Sequence, residues 1–232
     1  MFRYEIHLHS SGCSACGSST AEEMVDAAHE QGFAGVVFSN HFFRGNSAVD
    51  RALPWADFVG AYTEDYRRAK KYAEKYDMDV LFGVEEGLGH GKECLIYGLE
   101  PEVIANEAEF PRMTLPQIAA FVRNNGGWIV CAHPFRDRDY IENPDEEPNA
   151  ACFDAIEVHN HFNTEEENRK AAAFAKTHGL PGTSGGDIHN AANLGVTGLA
   201  FYERMTDNKK LMEALKNLRY KMIVEGALKD PM

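Results

Sequence analysis

The sequence predicts a parallel α/β fold, either an open doubly wound sheet or a barrel, on three observations. Short apolar runs of strand length alternate with amphipathic stretches of helical length along the 232 residues. No repeat, low-complexity run or linker divides the chain, so residues 1–232 read as one domain. A side chain able to bind metal also stands at the C-terminal edge of one predicted strand after another, where the side chains of barrel enzymes converge.

The elements follow in order. Residues 4–8 alternate like a strand, and Thr20-Ala21-Glu22-Glu23 is a capping box opening a helix that ends near Gln31-Gly32. Residues 33–39 form a buried apolar run. Residues 55–76 carry aromatic and small residues at helical spacing with charges between them, and 79–84 return to a short apolar run. Residues 93–99 give another strand, after which Thr114 and Gln117 bracket a second capping box. Strands are predicted at 128–132, 153–158 and 180–184, with a helix over 164–178; strands at 198–202 and 220–224 flank a last helix. The polar stretch 136–149 (RDRDYIENPDEEPN) reads as a long surface loop.

Hydrophobic residues make up 44% of the chain and charged residues 25%, which suits one sizeable core. No run approaches the ~20 consecutive apolar residues of a membrane span, and no basic patch precedes an apolar run at the N-terminus. A soluble, unprocessed, cytoplasmic protein without membrane contact is the expectation. With 36 acidic and 23 basic residues the net charge is -13, which makes duplex nucleic acid an unlikely partner. Five cysteines, an odd number, suit a reducing compartment, with any thiol chemistry being metal binding or catalysis.

The candidate ligands are His7 and His9, His41, Glu85, His133, Asp187 and His189. His7 and His9 lie two apart on a strand, so both imidazoles project from one face. His133 stands in CAHPF, where Pro134 stops the strand, and Asp187 and His189 follow two glycines that let the backbone turn. Each histidine alone is read more economically as structural, but their recurrence at strand ends points to a multinuclear site. Imidazoles with a few carboxylates suit zinc, iron or manganese, and Glu85, the first carboxylate after a buried strand, is the natural bridge.

In their order, HxH at 7–9, a histidine after GVVFSN, GVE at 83–85, AHP at 132–134 and GGDIH at 185–189, these motifs resemble the PHP (polymerase and histidinol phosphatase) family, from residue 5 to about residue 194. The resemblance implies a distorted seven-stranded (β/α) barrel, two or three divalent metal ions and phosphate-ester hydrolysis, without fixing the substrate. Carried over by motif, His7, His9, Glu85 and Asp187 hold one ion, Glu85 and His133 a second, and His41 with His189 a third. A further ligand of the second ion falls between GVE and AHP; His90 is the best chemical match, with Glu93 and Cys94 as alternatives. Glu5 and Asn40 stand where the family usually has Asp, at positions expected to orient imidazoles.

Cys16, in the Ser14-Ala15-Cys16-Gly17 setting that a subset of the family resembles, is a candidate thiolate ligand of the third ion, against the reading of a buried loop cysteine. Cys13 finds no such match. Arg136 and Arg44, each three residues after a predicted ligand, are candidates for gripping phosphate, or else rim salt bridges. Glu157 and Asn160 end a strand on the same rim. The expected chemistry is attack on a small phosphate ester, a monoester before a diester, by a hydroxide held between two ions, with Glu85, Asp187 and Arg136 in the catalytic set. The rivals are an amidohydrolase on a related metal barrel, which usually adds a bridging lysine, and a catalytically weak metal-binding module. Oligomeric state is not readable from the sequence.

Overall fold

The computed structural model describes residues 1–231. Ten strands form one mixed sheet in the order β10-β9-β8-β1-β2-β3-β4-β5-β6-β7. β1 (Phe2–Leu8), β2 (Gly35–Phe38) and β3 (Asp79–Gly89) run parallel, as do β5 (Trp128–Ala132), β6 (Ala155–Asn160) and β7 (Gly182–Gly185). Between these triplets β4 (Lys92–Tyr97) is antiparallel to both neighbours, and β8 (Gly198–Phe201), β9 (Tyr220–Val224) and β10 (Ala227–Lys229) add an antiparallel wing beside β1. The sheet curls until β7 approaches β9: Tyr220 Oη donates to Gly182 O at 3.0 Å, and Ser184 Oγ to Ile223 O at 2.5 Å. The result is a half-barrel of mixed α/β type. The sheet does not show the seven-stranded (β/α) count that the family resemblance implies, and its strands are not all parallel as the alternation of runs suggests, because apolar runs report burial and not strand direction.

The helices start where their side chains cap the free amides. In α1 (Ala21–Glu30) Thr20 Oγ1 accepts from Glu23 N, and Glu23 Oε2 accepts from Thr20 N at 2.7 Å. In α5 (Leu115–Asn124) Gln117 Oε1 accepts from Thr114 N at 2.8 Å. The helical stretch from residue 55 is not continuous: Thr63 separates α2 (Trp55–Tyr62) from α3 (Glu64–Ala73). A short α4 (Pro101–Ala105) precedes α5, and α6 (Glu165–His178) and α7 (Asn208–Lys216) complete the set. α1 and α3 cover β2 through Met24, Val25, Ala28, Ala69 and Ala73, while a larger apolar cluster joins the other helices to the sheet. No helix among the described residues is long and apolar enough to cross a membrane.

The β3–β4 hairpin decides the geometry of the site. β3 does not stop at Val84 but continues through Glu85 to Gly89, turns at His90 and Gly91, and returns as β4. His90 sits at the turn with φ 54°, its ring two-thirds exposed and its Nδ1 paired with Glu142 at 2.7 Å. Glu93, opposite Gly87 and Ala132, is carried back toward the sheet's C-terminal rim.

Candidate metal centre

Glu85 is the centre of the cluster, fully buried at the rim of β3. Its Oε1 lies 3.1 Å from His7 Nε2 and 3.0 Å from His133 Nε2; its Oε2 lies 2.8 Å from His41 Nδ1 and 3.4 Å from His9 Nε2. Burial opposes the charge, but His7 and His41 outweigh it and hold the carboxyl well below its usual range. The same carboxylates act on His7: burial disfavours its charge, and Glu157, Glu85 and Asp187 together push its pKa well above the ordinary value. His9 goes the other way, lowered to about 3 by burial and by His41 beside it.

Asp187 faces the cluster from the loop after β7. Its Oδ1 lies 3.2 Å from His9 Nε2 and 3.5 Å from His7 Nε2, and its Oδ2 takes Arg136 Nη1 at 2.6 Å. The left-handed residue of this loop is Asp187 itself (φ 51°), not the glycines before it. Gly185 is needed for space, since a Cβ there would lie 2.4 Å from Glu157 Oε1 and 2.6 Å from His7 Cβ. His133 also has positive φ, 26°, so two candidate ligands sit on strained backbone, as functional groups often do.

His189 Nδ1 donates to Asp187 O at 2.8 Å and its ring stacks on that of His9, centroids 4.2 Å apart. Cys16 stands next to His189 and His41; burial raises its thiol, but hydrogen bonds with those two rings bring it down to about 6. Cys13 is buried, with Sγ 2.9 Å from Tyr62 O, and is pushed up to about 12 by burial and by Asp65.

The donors fit a group of cations. His7 Nε2, His9 Nε2, His41 Nδ1 and Glu85 Oε2 are buried without hydrogen-bond partners, an arrangement costly in an apolar core and natural around metal. Three sets of donor atoms fall within 4.8 Å of one another: His7, His9, Glu85 and Asp187; His41, Glu85 and Glu93; and His9, His41 and His189. Glu93 comes within 3.3 Å of His41 Nδ1 and 3.5 Å of His133 Nε2. The structure therefore brings Glu93, and not His90, to this space; Cys94 is buried one residue along the strand, pointing to the other face of the sheet.

The supporting groups are more numerous than the sequence shows. Glu157 Oε1 accepts from His7 Nδ1 at 2.8 Å and its Oε2 from His133 N at 2.9 Å, so His7 turns Nε2 inward. Arg136 is held by Asn163 Oδ1, Asn160 Oδ1 and Asp187. Arg44 is tied to buried Glu86 at 2.6 Å and to Met113 O at 3.0 Å. Glu5 touches no imidazole: its Oε1 accepts from the amides of His7 and Gly186, both at 2.9 Å, and its Oε2 from Thr197 Oγ1, clasping β1 to the loop of Asp187. A cavity of about 560 Å³ opens over the cluster, bounded by Arg44, Arg136, Tyr140, Glu93 and Cys16 among others.

Residues 5–172 match the model of the PHP domain and residues 165–220 that of the PHP-associated region. The chain belongs to the PHP family. No curated protein matches it in sequence. Among solved structures, the PHP chain resembles a two-domain protein from Bacteroides vulgatus containing a predicted PHP-like metal-dependent phosphoesterase (TM-score 0.67, 16% identity), covering 98% of this chain and spanning 66% of that one. It resembles an amidohydrolase from Chromobacterium violaceum with bound sulfate and no metal (TM-score 0.52, 18% identity; 81% and 87% covered). It also resembles Endonuclease Q in complex with a 27-mer duplex substrate bearing an abasic lesion at the active site (TM-score 0.60, 13% identity; 99% and 58% covered). At these identities the likeness is one of fold. The last neighbour corrects the expectation from net charge: Endonuclease Q, which shares the fold, is in complex with a duplex substrate, and an overall charge of -13 says little about the local field at one cavity.

Proposed function

We propose that this PHP protein is a metal-dependent hydrolase that cleaves a small phosphate ester, a monoester in preference to a diester. The observation that carries the reading is Glu85, whose two oxygens face two sets of imidazole nitrogens that are otherwise unpaired in a buried space. In this reading His7, His9, Glu85 and Asp187 hold one divalent ion; Glu85, His133 and Glu93 a second; and His41 and His189, with Cys16, a third. When bound, such ions, whether zinc, iron or manganese, supply Lewis acidity and acidify water.

The chain's own groups do the rest. Glu157 fixes the ring of His7, and Asp187 is anchored by Arg136 so that one oxygen stays turned to the imidazoles. Arg136 spends one N–H each on Asn163, Asn160 and Asp187, which leaves one on each terminal nitrogen to face a phosphoryl oxygen in the cavity. Arg44, already paired with Glu86, also lines the cavity.

Cleavage of a C–N bond is the second reading, favoured by the amidohydrolase neighbour; here a carboxylate and not a lysine stands where the donor sets meet. The discriminating experiment loads the purified protein with manganese or zinc and assays aryl phosphomonoesters, aryl phosphodiesters, N-acyl amides and an abasic duplex. Monoester turnover abolished by chelation is expected. Amide or duplex cleavage alone would reassign the substrate class, and no hydrolysis of any phosphate ester by metal-loaded protein would overturn the proposal.

A further inference from the structure

The loop after β1 does more than connect. Its hydrogen bonds form a chain whose directions are fixed by a backbone donor. Asn40 Oδ1 takes Ser10 N at 2.6 Å, and because that amide can only donate, the oxygen of Asn40 faces it and Nδ2 faces away. Ser14 Oγ lies 3.0 Å from the same Oδ1 and must give it its single proton. Ser14 Oγ is then an acceptor, from His41 N at 2.9 Å and from His9 Nδ1 at 3.0 Å. His9 therefore carries its proton on Nδ1 and turns the lone pair of Nε2, buried and without a partner, toward Glu85 and Asp187.

Beyond Asn40 the direction persists. Asn40 Nδ2 donates to Ser10 Oγ at 3.1 Å, and Ser10 Oγ donates to Asp65 Oδ2 at 2.7 Å. Ser10 Oγ also lies 3.3 Å from Asn40 Oδ1, but its single proton goes to the nearer, charged acceptor, so the protons from His9 outward point to Asp65, a carboxylate only 3% exposed on α3, whose other oxygen pairs with Arg68 at 2.9 Å. Gly12 marks how closely the loop is fitted to it: a Cβ there would lie 2.3 Å from Asp65 Oδ2.

We propose that Asp65 is a positioning residue for the metal centre, the negative terminus of the chain His9–Ser14–Asn40–Ser10–Asp65 that fixes the His9 tautomer and raises the basicity of its Nε2. Hydrogen bonds aligned in one direction polarise one another, and a carboxylate at the end strengthens each link. The charge that neutral Asn40 does not supply next to the ligands thus comes from the neighbouring helix.

The test reads metal affinity and not turnover, so it stands apart from the substrate question. Zn²⁺ affinity is measured by competition with a chromophoric chelator for the wild type, Asp65→Asn, Asn40→Asp/Asp65→Asn and Ser14→Ala. Asp65→Asn is expected to bind roughly 10-fold more weakly, the usual scale for loss of a group behind a metal ligand. The double variant, with a carboxylate restored two links closer, should regain most of that loss; a purely structural role for Asp65 on α3 would not be rescued. Ser14→Ala cuts the chain without touching Asp65 and serves if Asp65→Asn does not fold. In the metal-free wild type, ¹⁵N spectra should show His9 protonated at Nδ1. A neutral His9 protonated at Nε2, wild-type affinity in Asp65→Asn or Ser14→Ala, or a double variant no tighter than Asp65→Asn would overturn the proposal.

Discussion

Burying Glu85 without solvent is tolerable only because imidazole nitrogens surround both of its oxygens, and the same logic separates Glu93 from His90. Glu93 reaches His41 and His133, whereas His90 reaches only Glu142 at an exposed turn. Glu93→Ala is therefore expected to weaken metal binding by about 10-fold or more, and His90→Ala to leave it unchanged; calorimetric titration with Mn²⁺ checks both. His7, His9, His41, Glu85, His133, Asp187 and His189 were legible as candidates because they stand at or just past the ends of apolar runs, and Cys16 only through the motif it sits in. Glu93 was one of three alternatives, and choosing it required knowing that the chain reverses at Gly89–Gly91, which residue chemistry does not reveal. Ser14 was visible only as part of the motif around Cys16, and Ser10 and Asp65 gave no signal at all: a serine in a loop and an aspartate in a helix acquire their role only when α3 packs against the loop after β1.

At the scale of elements, the two capping boxes read from the sequence hold, and a third, which the structure adds at the start of α6, does double duty. Glu167 closes the capping box of α6, accepting from Thr164 N at 2.7 Å, and also takes Asp137 N at 2.8 Å and Arg138 Nη1 at 2.9 Å. It thereby fastens to α6 the start of the polar loop that carries Tyr140 to the mouth of the cavity. Burial works against its charge, but the two backbone amides and Arg138 lower its pKa below the usual Glu value. A depressed pKa means that the stabilisation is present above the unfolded value of ~4.3 and is lost as the pH falls through the folded value. Glu167→Gln is expected to cost about 1 kcal/mol at pH 7, with the difference from wild type shrinking below about pH 4; urea melts at both pH values measure it. A destabilisation independent of pH would contradict the role of the charge. Helix starts were readable because caps are local, while the break at Thr63 and the antiparallel course of β4 depend on contacts distant in sequence.

The whole molecule is a curled sheet whose rim collects side chains from β1, β3, β4 and the segments after β2, β5 and β7 into one buried space. That the chain alternates strands and helices, and that its polar chemistry gathers at one rim, could be read from the sequence; the mixed strand directions and the antiparallel wing could not, because burial patterns are blind to direction. Convergence on Glu85 is the central claim, and metal content tests it most directly. Wild type and Glu85→Gln are incubated with Zn²⁺ or Mn²⁺, freed of excess and analysed for metal per chain, with circular dichroism to confirm folding. The wild type is expected to retain at least about two ions, as a site bridged by a carboxylate requires, and the folded variant fewer than about one. A folded wild type that retains none, or a variant that keeps the wild-type complement, would contradict it.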